Sequence, residues 1–215
     1  VPKLKEKRYG FQTIDNEIQR YAFYKCNSLI HITIPPLITI IDSSAFQNCL
    51  SLLYLSLPSS LFKIGRGAFC DCKSLRAISI PPSGKIIWRS AFIRCSSLRR
   101  VKLSPSINLI AKNTFYQCKS LKTISLPPRI CSIGCYTFLD CKSLEKISIP
   151  PKVNIIRCFS FKGCTSLKQV IIPDSVIHIY FCAFEDCISL KEITVKPDVI
   201  MIGYHYTSKT KIIYK

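Results

Sequence analysis

Apolar positions along the chain fall in one order that repeats every 23 residues. In a representative unit Leu121, Ile124 and Leu126 are apolar, with Thr123 and Ser125 on either side of Ile124. Alternation at period two with β-branched residues predicts a short strand. Prolines then follow in most units, as in Pro35-Pro36, Pro81-Pro82, Pro127-Pro128 and Pro150-Pro151, and end the strand because proline has no N–H to extend a ladder. A second apolar pair comes next: Ile38 and Ile41, Leu61 and Ile64, Ile107 and Ile110, Ile130 and Ile133, Val153 and Ile156, Val176 and Ile179, Val199 and Ile202. It predicts an inward-facing return leg. Gly65, Gly134 and Gly203 follow it, but Asp42, Trp88, Arg157 and Tyr180 stand there in other units, so a glycine turn is not compulsory. The Ala-Phe-x-x-Cys segment predicts a one-turn helix or 3₁₀ piece leading back to the next strand.

The anchors hold register eight times, with Phe from Phe23 to Phe184, Cys three residues later from Cys26 to Cys187, and Ser-Leu from Ser28-Leu29 to Ser189-Leu190. Self-similarity at such a period is the signature of a solenoid, so 215 residues form one continuous array rather than two domains. Residues 1–17 depart from the repeat and read as an N-terminal cap, 18–203 as the array, and 204–215 as a C-terminal cap or closing strand. In the last part Thr207 and Thr210 replace Phe and Cys, and Lys211 to Tyr214 keep strand character.

The string A-F-x-x-C-x-S-L-x-x-I-x-I-P-x-x-V-x-x-I-G resembles the BspA-like, or type-5, leucine-rich repeats over residues 18–203. The resemblance implies a leucine-rich-repeat solenoid of eight 23-residue repeats with a concave parallel β-sheet. On the convex side it implies short return strands and 3₁₀ or one-turn helices. It also implies proteins that bind other macromolecules, often at cell surfaces. Departures are local: Gly84 replaces a return-leg aliphatic, and Ser104 and Lys196 replace the first proline.

Apolar runs are far shorter than the roughly 20 residues of a membrane helix, so no transmembrane segment is expected. Val1 to Gly10 is charged rather than apolar and does not read as a secretory leader. Net charge is +19, and its distribution matters more than its sum. No acidic residue lies between Asp71 and Asp140, a stretch that carries twelve Lys and Arg. A field of one sign over that length attracts an acidic partner.

Of thirteen cysteines, eight occupy one column of the repeat. Parallel Cβ vectors at the sheet spacing of about 4.8 Å do not meet disulfide geometry, so the column reads as buried reduced thiols packing as small hydrophobes. Cys70, Cys131, Cys135, Cys158 and Cys182 lie off it; Cys135 and Cys158 share a column in adjacent repeats with Cys131 nearby, a place where a disulfide or metal cluster is conceivable. No C-x₂-C pair supports a metal, and His31, His178 and His205 are scattered, so neither cofactor nor metal is expected. Without a phosphate loop, H-E-x-x-H or G-x-S-x-G, nothing points to an enzyme.

Function is therefore sought in the positions that the repeat leaves free. With the Leu29, Ile32 and Ile34 columns inward, the residues between them face the concave surface. Arg76, Arg99, Lys122, Lys168 and Lys191 share one such column, Arg100 and Lys146 the next, and Lys102 adds a third cation to the repeat of Arg99 and Arg100. Lys73, Arg94, Lys119, Lys142 and Tyr54 flank this basic stripe, and Tyr54, Trp88 or Tyr116 are candidate anchors. A second stripe, Ile40, Ile86, Leu109, Ile155 and Met201, reads either as an exposed interface or as a return leg buried from both sides. The expected activity is a non-catalytic scaffold within a larger assembly, docking onto an acidic protein surface or polyanion. A cell-surface adhesin and an RNA-associated protein are the alternatives. Reduced thiols and the lack of an N-x-S/T sequon favour an intracellular, cytoplasmic or cytoskeletal, setting over an extracellular one.

Overall fold

A computed structural model describes residues 16–203 and 210–215. Most of the N-terminal cap expected at 1–17, and the first half of the C-terminal one, lie outside the described residues. The chain winds through about eight turns of parallel-strand solenoid. All turns but the one through residues 122–125 contribute a strand to the concave face: His31–Thr33, Tyr54–Ser56, Ala77–Ser79, Arg100–Lys102, Lys146–Ser148, Gln169–Ile171 and Glu192–Val195, closed by Lys211–Tyr214. The return legs form a separate lateral side, with Glu17–Ile18, Ile40–Ile41, Lys63–Ile64 and Ile86–Ile87 in one parallel sheet, and Ser132–Ile133, Ile155–Ile156, His178–Tyr180 and Ile200–Ile202 in another. Leu29, Ile32, Ile34, Ile38, Ile41, Phe46 and Cys49, and their equivalents along the chain, make one strip of core.

The core is built from ladders of like residues. Phe23 to Phe184 stack ring on ring, with centroids 4.7–5.6 Å apart and planes within 10° of parallel. Beside each ring a thiol donates to the carbonyl of the preceding repeat's Phe, as Cys118 Sγ does to Phe92 O at 3.2 Å and Cys141 Sγ to Phe115 O at 3.2 Å. Burial pushes the Cys95, Cys118 and Cys141 thiols well up, so they remain protonated donors at neutral pH. The column of cysteines is therefore architectural.

The expected helical piece is absent among the described residues. Its short-range bonds are present, as in Gln47 N to Ser44 O and Cys49 N to Phe46 O, but the intervening donors leave the turn. Ser44, Phe46 and Asn48 N–H bond to Arg66, Ala68 and Cys70 carbonyls, 22 residues on, and the pattern recurs down the back of the solenoid. This alternation needs left-handed residues in two columns, from Tyr21 to Cys182 and from Lys25 to Asp186, where φ lies between +54° and +70° and only Gly67 and Gly163 are glycine. A left-handed non-glycine residue costs roughly 1–2 kcal/mol. The inter-repeat hydrogen bonds, each worth about 1 kcal/mol, and the burial of Phe offset it.

Immediately before each Phe from Phe46 on lies a small-residue column: Ala45, Ala68, Ala91, Thr114, Thr137, Ser160 and Ala183, all buried. Thr114 and Thr137 satisfy their hydroxyls at 2.7 Å on the carbonyls of Ala111 and Gly134, whereas Ser160 Oγ has no hydrogen-bond partner. Ser160→Ala is expected to raise the unfolding free energy by about 1 kcal/mol, read from urea midpoints; a loss of stability would mean that the hydroxyl is satisfied.

Two further expectations are corrected. The concave strands do not form one ladder but hydrogen-bonded pairs, and residues 122–125 join neither neighbour as a strand. At the end of the array the register also shortens. Ile179 pairs with Met201 rather than Ile202, and Glu192 pairs with Lys211, an offset of 19. Thr210, in the place of Cys, then donates to Leu190 O at 2.8 Å instead of to a Phe carbonyl.

Candidate functional site

The concave strands point His31, Tyr54, Arg100 and Lys146 outward from one position, and Thr33, Ser56, Ser79, Lys102 and Ser148 from the next but one. Tyr54, Arg100, Lys102, Thr123 and Ser125 line a shallow groove of about 560 Å³ with its floor at Leu55, Ile78, Val101 and Ile124. Arg76, Arg99, Lys122, Lys168 and Lys191 stand exposed just before the strands, and Lys73, Lys119 and Lys142 at the corner where the chain turns into them. The structure thus brings the basic residues together, with three distinctions. Arg99, Arg100 and Lys102 have no acidic partner among the described residues, whereas Lys122 lies 3.9 Å from Glu145, which also interrupts the column ahead of Lys168. Arg76 reaches Tyr54 Oη at 3.5 Å.

Arg94 leaves the set. It stands in the turns at the back, where its Nε donates to Asp71 Oδ1 at 2.8 Å and a second guanidinium nitrogen to Oδ2. The guanidinium holds the Asp71 carboxyl below its ordinary range, and Cys70, donating to the same carboxylate at 3.3 Å, is pushed up to about 12, chiefly by burial. A lowered acid contributes stability above its ordinary pKa and loses it as pH falls through the folded value. Asp71→Asn, which keeps a residue tolerant of φ +59°, is expected to cost about 1 kcal/mol at neutral pH for this partly exposed pair. The difference should vanish in acid; a gap independent of pH would assign it to packing.

Of the candidate anchors only Tyr54, 44% exposed, lines the groove. Trp88 lies on the lateral side and Tyr116 at the back, because their repeat positions fall in the return leg and the turn segment respectively. The second stripe is mixed. Ile86 and Leu109 are exposed, Ile40 and Ile155 half-buried, and Met201 drops out through the register shift, so that Ile200 takes its place opposite His178. One column was overlooked in the sequence: Arg66, Arg89 and Lys112, in register beside Trp88, all exposed. The same 23-residue spacing carried that signal, but in the turn that follows the return leg rather than in the strand.

Off the ladder, Cys135 and Cys158 bring their sulfurs to 3.2 Å, with Cys158 raised to about 11 by burial and by its neighbour. Cys131 is directed elsewhere, toward Arg129 O at 3.7 Å, and no group of three metal-binding side chains occurs among the described residues. Diamide, which takes up the two thiol hydrogens, is expected to link Cys135 to Cys158 in the native protein, seen as a cross-linked peptide by mass spectrometry. Linkage within the buried ladder instead would contradict the arrangement described.

No helix of the described residues is long and apolar enough to cross a membrane. The family model described as the BspA type leucine rich repeat region matches residues 16–130 and 108–214, with six copies. Among solved structures, a leucine-rich repeat protein from T. pallidum is 29% identical, with a TM-score of 0.72 over 75% of this chain and 78% of that one. One from Eubacterium ventriosum is 24% identical, with a TM-score of 0.68 over 73% and 42%. A leucine-rich cell surface protein from Faecalibacterium prausnitzii is 22% identical, with a TM-score of 0.59 over 86% and 69%. The search of curated proteins gave no match.

Proposed function

Because this chain belongs to the BspA-type leucine-rich repeat family, we propose that it is a non-catalytic scaffold whose basic concave face docks onto an acidic protein surface. Repeat arrays of this kind generally act as interaction scaffolds through extended surfaces. The observation that carries the finer reading is the trio Arg99, Arg100 and Lys102: Arg100 and Lys102 line the concave groove, Arg99 stands exposed just before the same strand, and none has an acidic partner among the described residues. Such a surface raises the encounter rate with an acidic partner and orients it, while Tyr54 and the apolar floor supply contact area. The small side chains of Ser79 and Ser125 flank Lys102 in one column of the groove and leave room beside it for an acidic segment.

Equilibrium binding of the whole chain to poly-glutamate and to single-stranded RNA, each across a salt series, tests this reading. Poly-glutamate is expected to bind at low salt and release as salt rises. Binding of RNA alone would replace the protein partner by a nucleic acid, since phosphate contacts dominate such affinities. We place the protein inside the cell, where the ladder thiols stay free to donate to the Phe carbonyls. Thiol labelling of freshly prepared native and denatured protein is expected to find all thirteen cysteines reduced; disulfides formed in the cell would point to an oxidising compartment.

A further inference from the structure

We infer that the lateral face around Trp88 is a second docking surface, and that it takes an anionic phospholipid bilayer. The face is backed by the parallel sheet of return strands, in which Ile40, Lys63 and Ile86 follow one another in register. On it Phe62, Ile86, Trp88 and Leu109 are large apolar side chains left 38–51% exposed on successive turns. Arg66, Arg89 and Lys112 run beside them, one cation per turn in the same repeat position, all exposed and without an acidic partner among the described residues.

Lys63 and Lys85 complete the pattern by reaching over the rings of Trp88, at 5.9 Å, and Phe62, at 5.7 Å. A hollow of about 230 Å³ opens among Lys63, Gly65, Arg66, Trp88 and Arg89. Glu17 and Asp42 mark the N-terminal limit of the face. Beyond Asp71 the next acid is Asp140, which stands in the turns at the back.

Aliphatic and aromatic side chains interleaved with cations are what an interfacial surface requires. Indole and phenyl rings settle at headgroup depth while Lys and Arg meet anionic headgroups. An acidic protein would need its own matching shape, whereas a bilayer needs only a sheet-backed face with its cations at one level. Three turns at about 4.8 Å each give the face a length of roughly 10–15 Å. The cytoplasmic leaflet carries such lipids, in keeping with the intracellular placement. Because this face and the concave groove lie on different sides of the coil, a membrane-bound molecule keeps its groove free for a protein.

Trp88 is the single tryptophan of the chain, so its fluorescence reports on this face. The whole chain is mixed with vesicles of phosphatidylcholine alone or with added phosphatidylserine. The serine lipid is expected to shift Trp88 emission to the blue and to permit its quenching by brominated acyl chains, with little change on phosphatidylcholine. Each basic side chain near an anionic leaflet raises partitioning about fivefold. The triple variant Arg66→Ser, Arg89→Ser and Lys112→Ser should therefore partition about 100-fold more weakly, with an unchanged melting curve. Leu109→Glu, which places a negative charge at an exposed position, should weaken it independently, whereas the concave variant Arg99→Ser, Arg100→Ser and Lys102→Ser should leave the emission shift intact. Absence of vesicle binding overturns the proposal. So does sedimentation with vesicles without a change at Trp88, or loss of binding only in the concave variant. An equal shift of Trp88 on poly-glutamate would assign the face to an acidic protein instead.

Discussion

Phe115→Ala is expected to lower the unfolding free energy by about 3–5 kcal/mol, more than other single truncations toward the ends of the array. Its ring is fully buried and stacked on both sides, 5.6 Å from Phe92 and 5.6 Å from Phe138. Removing it opens a cavity and deletes two ring contacts at once, in a molecule where each turn is held chiefly by its two neighbours. The flanking backbone has little freedom to collapse into the gap, because Phe115 N–H bonds to Thr137 O at 2.9 Å and the Cys141 thiol holds the Phe115 carbonyl. Phe184, with one described ring partner, Phe161, should cost less. Urea unfolding of both variants decides the matter. A loss under about 1 kcal/mol at Phe115, or an equal loss at Phe184, would show that the stack is not the unit of cohesion. If the central variant unfolds in two steps, the array has divided at the missing ring.

The concave variant Arg99→Ser, Arg100→Ser and Lys102→Ser should weaken association with poly-glutamate about 100-fold, taking up to about 1 kcal/mol for each exposed charge pair lost. Its dependence on salt should flatten in the same measure, because three screened attractions disappear. All three side chains are exposed, so the melting curve should not move. Arg94→Ser provides the contrast: it uncovers the carboxylate of mostly buried Asp71 and should cost stability while leaving the association intact. An unchanged affinity in the triple variant would remove the site from the concave face.

The core was legible because a buried column admits few residues: every Phe, Cys and Leu anchor has the same neighbours one turn before and after. The turn geometry was not. Left-handed backbone is usually signalled by glycine, yet here Lys25, Ser44, Arg94 and Gln117 adopt it because the next turn's carbonyls accept their N–H groups. The break in the concave ladder at residues 122–125 was not legible either, because Leu121, Ile124 and Leu126 keep the same alternation as the paired turns. The basic residues of the concave face were readable from register alone. The separation of Trp88 from them was not, because it depends on which side of the coil the return leg occupies.

The ladder at the back has a direction. In the columns of Ser44, Phe46 and Asn48, every N–H that leaves its turn points toward the C-terminal repeat, and every receiving carbonyl points toward the N-terminal one. Aligned peptide dipoles add, as they do along a helix, so this side of the molecule has a positive pole at its last turns and a negative pole at its first. The side chains match those poles: Glu185 and Asp186 stand in the turns at the donor end, Arg20 and Lys25 at the acceptor end. The back of the solenoid therefore carries a built-in polarity, its two ends electrically distinct on that side before any partner arrives.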